Sequence, residues 1–202
     1  APAALVGTYG TWTFNNLNGQ WTYTLDNSLT ATQALNAGDV VTEASGGGID
    51  TVKSSVSFSI SALTNVENIT LTGSAATATG NTGANVLVGN AVANTLTGDA
   101  GNDTLDGGLG NDTLSGGTGN DTYLFQRTGG QDTINNNDGT GSGTDILKLD
   151  SSVSYDQMWF QHVGNDLVIS VIGTTDKITV AGALGAQTAR ELGVNENTLH
   201  TW

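Results

Sequence analysis

Three aspartates, Asp103, Asp112 and Asp121, recur at nine-residue spacing. Each closes a Gly-Asn-Asp triplet and precedes Thr and a large side chain. Carboxylates repeated among glycines suit one chemistry well, the binding of a hard cation. Calcium takes about six to eight oxygens from carboxylates and backbone carbonyls. Gly-rich loops expose carbonyls, and one Asp per loop supplies charge. A row of carboxylates without a cation would repel itself. The competing reading is a turn-forming Asp ahead of a strand, which is common. The fixed spacing within a glycine pattern favours the metal.

The elements that position these residues are repeats of nine. They run unbroken as GNTGANVLV (80–88), GNAVANTLT (89–97), GDAGNDTLD (98–106), GGLGNDTLS (107–115) and GGTGNDTYL (116–124). Position 1 is always Gly, and position 4 is Gly in all but the second unit. Position 6 is Asn85, Asn94, Asp103, Asp112 and Asp121. Position 8 is Leu87, Leu96, Leu105, Leu114 and Tyr123. Six polar residues predict a turn, because glycine takes backbone angles that other residues resist. The last three predict a short strand with its middle side chain inward. One unit cannot bury that side chain alone, whereas stacked units bury a ladder. This much glycine would be costly inside a helix.

The units resemble the repeats-in-toxin nonapeptide G-G-x-G-x-D-x-U-x, with U a large apolar residue. Residues 98–124 fit it closely, and only Asp99 replaces Gly at position 2. The resemblance implies an all-β fold, a parallel β-roll with two units per turn, and Ca2+ held between loops stacked on one side. It implies that Asp103 faces Asp121 and Asp112 faces Asp132, the latter in the degenerate unit GGQDTI (129–134). Asp145, in GTDIL, extends the same edge. Gly101, Gly110 and Gly119 at position 4, with Gly108 and Gly117 at position 2, complete the implied metal loops. Asn85 and Asn94 leave the first two units weak in calcium or empty, held by the apolar ladder. Asp99 and Asp106 flank the edge and read as solvated.

The chain divides into a segment 1–45, lead-in strands 46–79, the roll 80–134, and a C-terminal β cap and tail 135–202. LTNVENITLTG (63–73) reads as the start of the stack, capping its apolar end. DILKLD (145–150), MWFQHV (158–163), DLVISVIG (166–173) and KITVAG (177–182) read as strands, with a hairpin at VGND (163–166). They resemble the domain that follows haemolysin-type calcium repeats. TARELGVNENTLHTW (188–202) reads as a short helix and an extended end. Family resemblance alone implies type I export through an uncleaved C-terminal signal.

Residues 7–28 alternate Thr with Tyr9, Trp12, Phe14, Trp21 and Tyr23, a hairpin pattern around NNLNG (15–19). With ATQALNAGDVVTE (31–43), this resembles the end of the VCBS-type immunoglobulin-like repeat of bacterial adhesins. SGGG (45–48) reads as a hinge. A lone hairpin is marginal in water and its edges template pairing. Two readings follow: residues 1–43 join a neighbouring subunit in a homo-oligomer, or fold back on their own roll.

Of 202 residues, 19 are acidic and 5 basic, a net charge of −14. No basic patch exists for nucleic acid or for an anionic membrane. No apolar run is long enough to span a bilayer. Without cysteine there are no disulfides and no thiolate sites. The chain has no G-x-S-x-G, H-E-x-x-H, P-loop or dinucleotide motif, so it reads as no enzyme. His162 and His200 lack clustered partners and read as structural or exposed. Trp12, Trp21, Trp159 and Phe160 read as core or interface rather than as sugar platforms. Cell-surface polysaccharide remains a candidate partner. Ice binding needs a row of like polar side chains. Position 3, with Thr82, Ala91, Ala100, Leu109 and Thr118, is no such row.

The expected function is that of a secreted bacterial structural or adhesive protein, folded by calcium outside the cell. A surface layer, matrix or extracellular filament would be its setting. The alternative is a calcium-stabilised targeting or carbohydrate-binding module of a type I-secreted enzyme.

Overall fold

A computed structural model describes residues 48–136 and 143–182, and the backbone of strands at 4–7, 10–15, 20–25, 32–35 and 40–42. The strands are β1 (Ala4–Gly7), β2 (Gly10–Asn15), β3 (Gln20–Leu25), β4 (Thr32–Leu35) and β5 (Val40–Thr42). Then come β6 (Thr51–Ser54), β7 (Phe58–Ser59), β8 (Asn68–Leu71), β9 (Thr77–Thr79) and β10 (Val86–Val88). The repeats continue as β11 (Thr95–Ala100), β12 (Thr104–Asp106), β13 (Thr113–Thr118), β14 (Thr122–Phe125) and β15 (Gln131–Asn135). The last are β16 (Ile146–Leu149), β17 (Met158–Val163), β18 (Asp166–Val171) and β19 (Lys177–Ala181). One short 3-10 turn, Tyr155–Gln157, precedes β17.

The fold is all-β and forms a parallel β-solenoid of about five turns. Successive strands alternate between two sheets. One has the order β16-β14-β12-β10-β8-β6-β4, the other β17-β18-β19-β15-β13-β11-β9-β7. Each turn of the roll therefore consumes two nonapeptides. Leu87 pairs with Leu105 and Leu105 with Tyr123 in the first sheet, Leu96 with Leu114 in the second. These position-8 side chains are wholly buried. Ile69 and Val52 extend the first ladder upstream, and Ile134 and Val180 extend the second downstream. Fully burying each such side chain is worth about 1.5–3 kcal/mol.

Tyr123 breaks the run of Leu for a reason that the packing shows. Its hydroxyl accepts the Gly116 N–H at 2.9 Å inside the core. Tyr123→Phe leaves that donor orphaned. We expect a loss of about 1–3 kcal/mol in the unfolding free energy of the calcium-loaded protein, measured by urea denaturation.

The downstream end is closed by the chain reversing. β19 joins β15 in parallel, and β18 and β17 then add antiparallel. Leu167, Ile169, Val171 and Ile178 are buried there, with Met158 and Phe160 packed partly against the core. The expected hairpin at 163–166 is present, with Val163 opposite Asp166. Trp159 is exposed rather than in the core, because it alternates outward from Phe160 on β17. His162 is exposed as well. Arg127 ties the cap to the roll, donating from Nε to the Ser152 carbonyl and from its guanidinium to Gln157 Oε1.

At the upstream end β2 and β3 form the expected hairpin, with Asn15 opposite Gln20, inside a sheet of order β1-β2-β3-β5. β4 is not part of that sheet. It pairs in parallel with β6 and so belongs to the roll. The helix expected in 188–202, His200, and most of the SGGG hinge lie outside the described residues.

Candidate metal site

The two units of a turn place their loops on opposite edges of the roll. One edge stacks Asn85, Asp103, Asp121 and Asp145, and the other Asn94, Asp112 and Asp132. The backbone records this stacking directly. The N–H of Asp103 donates to Asp121 Oδ1 at 2.8 Å, and that of Asp121 to Asp145 Oδ1 at 2.7 Å. The N–H of Asp112 donates to Asp132 Oδ1 at 3.0 Å. Asp103, Asp112 and Asp121, singled out by spacing, are buried, as are Asp132 and Asp145, which the resemblance implied. The two later partners lie 20 and 24 residues downstream rather than 18. The extra residues fall in the loops, so the strands keep their register.

Each carboxylate thus commits one oxygen to a neighbouring coil. The second oxygens of Asp103 and Asp112 are buried without any hydrogen-bond partner. A buried carboxylate oxygen left unpartnered is costly, and a cation is the partner that would suit it. Glycine makes the room. A Cβ on Gly98 would collide with Asp103 Oδ2, and one on Gly107 with Asp112 Oδ2. Those position-1 glycines were visible as invariant in the repeat, but they carried no assigned role. Among the described residues no three His, Cys, Asp or Glu side chains gather at one point. Backbone carbonyls of the glycine loops are oxygens of the kind that calcium takes.

The glycines named from the motif lie where loops of successive coils touch. Gly101, Gly110, Gly119, Gly108 and Gly117 all have positive φ. Asp99, at 87°, and Thr128, at 68°, are the non-glycine residues with positive φ among those described. Asp99 occupies position 2 opposite Gly117, so it holds an angle that costs an ordinary residue about 1–2 kcal/mol. Its charge also adds to the pressure on Asp103. Asp99→Gly is therefore expected to raise the melting temperature of the calcium-loaded protein by about 2–4 °C, measurable by calorimetry.

Burial is the largest influence on the carboxylates. It pushes Asp103 and Asp112 up to about 7 and Asp132 up to about 6. The backbone donors at Asn85, Asn94 and Asp112 oppose it, while neighbouring carboxylates, including Asp121 for Asp103, reinforce it. Asp99 is exposed as expected. Asp106 is only half-buried and accepts the Gly108 N–H.

The two Asn units are finished differently. Asn85 Oδ1 accepts from the Asn81 N–H, and its Nδ2 donates to the Glu67 carbonyl. Asn94 does the same with Asn90 and Ala75. An amide brings its own donor, so these loops close by hydrogen bonds. A second row escaped the sequence reading. Asn102, Asn111 and Asn120 at position 5 accept N–H groups of Asn120, Gln131 and Thr144 in the next coil. Their recurrence in Gly-Asn-Asp was the available signal.

The model of the RTX calcium-binding nonapeptide repeat, in four copies, matches residues 79–114 and 88–123. No curated protein matches the chain. The match covers the coils whose loops carry Asp103, Asp112 and Asp121. Residues 79–123 are RTX calcium-binding nonapeptide repeats wound into a β-roll, and the cofactor of this protein is Ca2+.

Proposed function

We propose that this protein is exported by a bacterium and folds on meeting calcium outside the cell, where it serves a structural or adhesive role. RTX repeats are typical of secreted bacterial proteins. No helix among the described residues is long and apolar enough to cross a membrane. Such a roll is also typical of non-catalytic structural domains. The observation that carries the reading is the pair of orphaned carboxylate oxygens on Asp103 and Asp112. In this reading Asp103, Asp121 and Asp145 hold calcium along one edge, and Asp112 and Asp132 along the other. Carbonyls of the loops around Gly101, Gly108, Gly110, Gly117 and Gly119 complete the coordination. Calcium supplies the positive charge that lets the rows ionise together.

The chain's net charge of −14 opposes compaction where calcium is scarce. Extracellular calcium sites have Kd values of roughly 10⁻⁴–10⁻³ M. Calcium at ten times Kd adds about 1.4 kcal/mol per site. A few sites then supply much of an ordinary domain's stability. Far-UV circular dichroism of the chelated protein during calcium titration tests this, with magnesium as control. A cooperative rise in β signal with calcium alone is expected, its midpoint moved upward by Asp112→Ala. A chelated protein that is fully folded and indifferent to calcium would overturn the folding role.

A further inference from the structure

The outer face of the eight-stranded sheet carries two columns of small hydroxyl side chains. Thr77, Thr95, Thr113, Thr133 and Thr179 are successive register partners on β9, β11, β13, β15 and β19. Two residues further on, Ser59, Thr79, Thr97 and Ser115 form the second column. Inward-facing Ala78, Leu96 and Leu114 separate the columns and are buried, while no column residue is. Strand spacing sets neighbouring hydroxyls about 4.8 Å apart across the sheet and about 6.6 Å apart along it. Among the described residues, the five Thr hydroxyls of the first column make no hydrogen bond within the protein.

The preference of threonine for strands acts on both sheets alike, yet the hydroxyl columns occur on one only, flanked on that face by Gln131, Lys177, Val168 and the exposed Trp159. Outward positions of the other sheet include Lys53, Val86, Asp106, Leu124, Ile146 and Lys148. The hydroxyl columns bear no charge on a chain of −14, which fits a neutral partner. They contain no aromatic ring, the usual flat contact for a sugar. A two-dimensional array of hydroxyls and methyls, repeating at these spacings, matches the scale on which water oxygens repeat in ice. We propose that this face binds an ordered water lattice, the surface of ice. The columns are hidden in chain order. Position 7 reads Val86, Thr95, Thr104, Thr113 and Thr122, and alternate members lie on opposite faces.

The test is partition of the full-length, calcium-loaded protein into a slowly growing ice front, with ice recrystallisation as a second readout. Thr95→Lys with Thr113→Lys disturbs the proposed face. Thr104→Lys with Thr122→Lys disturbs the opposite one. The wild type and the opposite-face variant should enter the ice, and the first variant should be excluded while keeping its circular dichroism. Should that variant not fold, the near-isosteric Thr95→Val with Thr113→Val takes its place, with reduced entry expected. Exclusion of the folded wild type would overturn the inference and leave the calcium reading standing. Equal behaviour of the two faces would overturn it too, as would binding to crystalline cellulose or chitin without entry into ice.

Discussion

Gly119→Ala is expected to cost about 4 kcal/mol or more, an effect that ordinary substitutions do not reach. Gly119 has φ +134°, and a Cβ there would collide with the carbonyl oxygen of Gly101 in the coil beneath. Neither backbone can withdraw. β11 and β13 are locked in register from Thr95 opposite Thr113 to Ala100 opposite Thr118. Gly173→Ala is the control. Gly173 also has positive φ, but nothing lies within 4 Å of the added Cβ. It should lose only the conformational contribution of about 1–2 kcal/mol. Denaturation of both variants at saturating calcium separates loop conformation from contact between coils. Equal losses would mean that the coils are less closely stacked than the register requires.

The second large effect is an inverted pH dependence. Folding raises Asp103 and Asp112 to about 7 and Asp132 to about 6, against 3.8 for an unburied Asp. The metal-free folded state therefore binds more protons than the unfolded chain between these values. Its stability is fully present below about pH 4 and is lost as pH rises towards 7. The three groups shift in the same direction, so their effects on stability add in sign. Calcium reverses the sign, because it binds the ionised carboxylates and must displace their protons. Melting curves from pH 4 to 8, with chelator and with calcium, should cross. Chelated protein that gains stability with rising pH would refute the assignment of these carboxylates as buried and without a cation.

These expectations rest on features of unequal legibility. The inward ladder from Leu87 to Tyr123 could be read from the chain, because a period of nine with one apolar position leaves one way to bury it. The close approach at Gly119 could not. It depends on which carbonyl lies beneath, and that residue is eighteen positions earlier. The same distance hides the reciprocal bonds of the two rows. Asn102 reaches forward to the next coil, and Asp121 reaches back.

By itself the sequence determined stacked nonapeptide units with an inward apolar ladder, and its resemblance to the repeats-in-toxin nonapeptide implied a parallel roll that binds calcium. The units follow from local causes: glycines for turns, one apolar residue per strand, and one Asp or Asn per loop. The tertiary structure alone decided what two units per turn do to everything else. It sends alternate units to opposite edges and opposite faces, so that Thr95 and Thr113 share a column from which Thr104 is absent. It also recruits β4 and β19 as further turns, although neither lies in a nonapeptide. The physical reason is that backbone pairing between coils requires only register. Strands far apart in the chain satisfy it as well as neighbours do, and no periodicity in the sequence announces them.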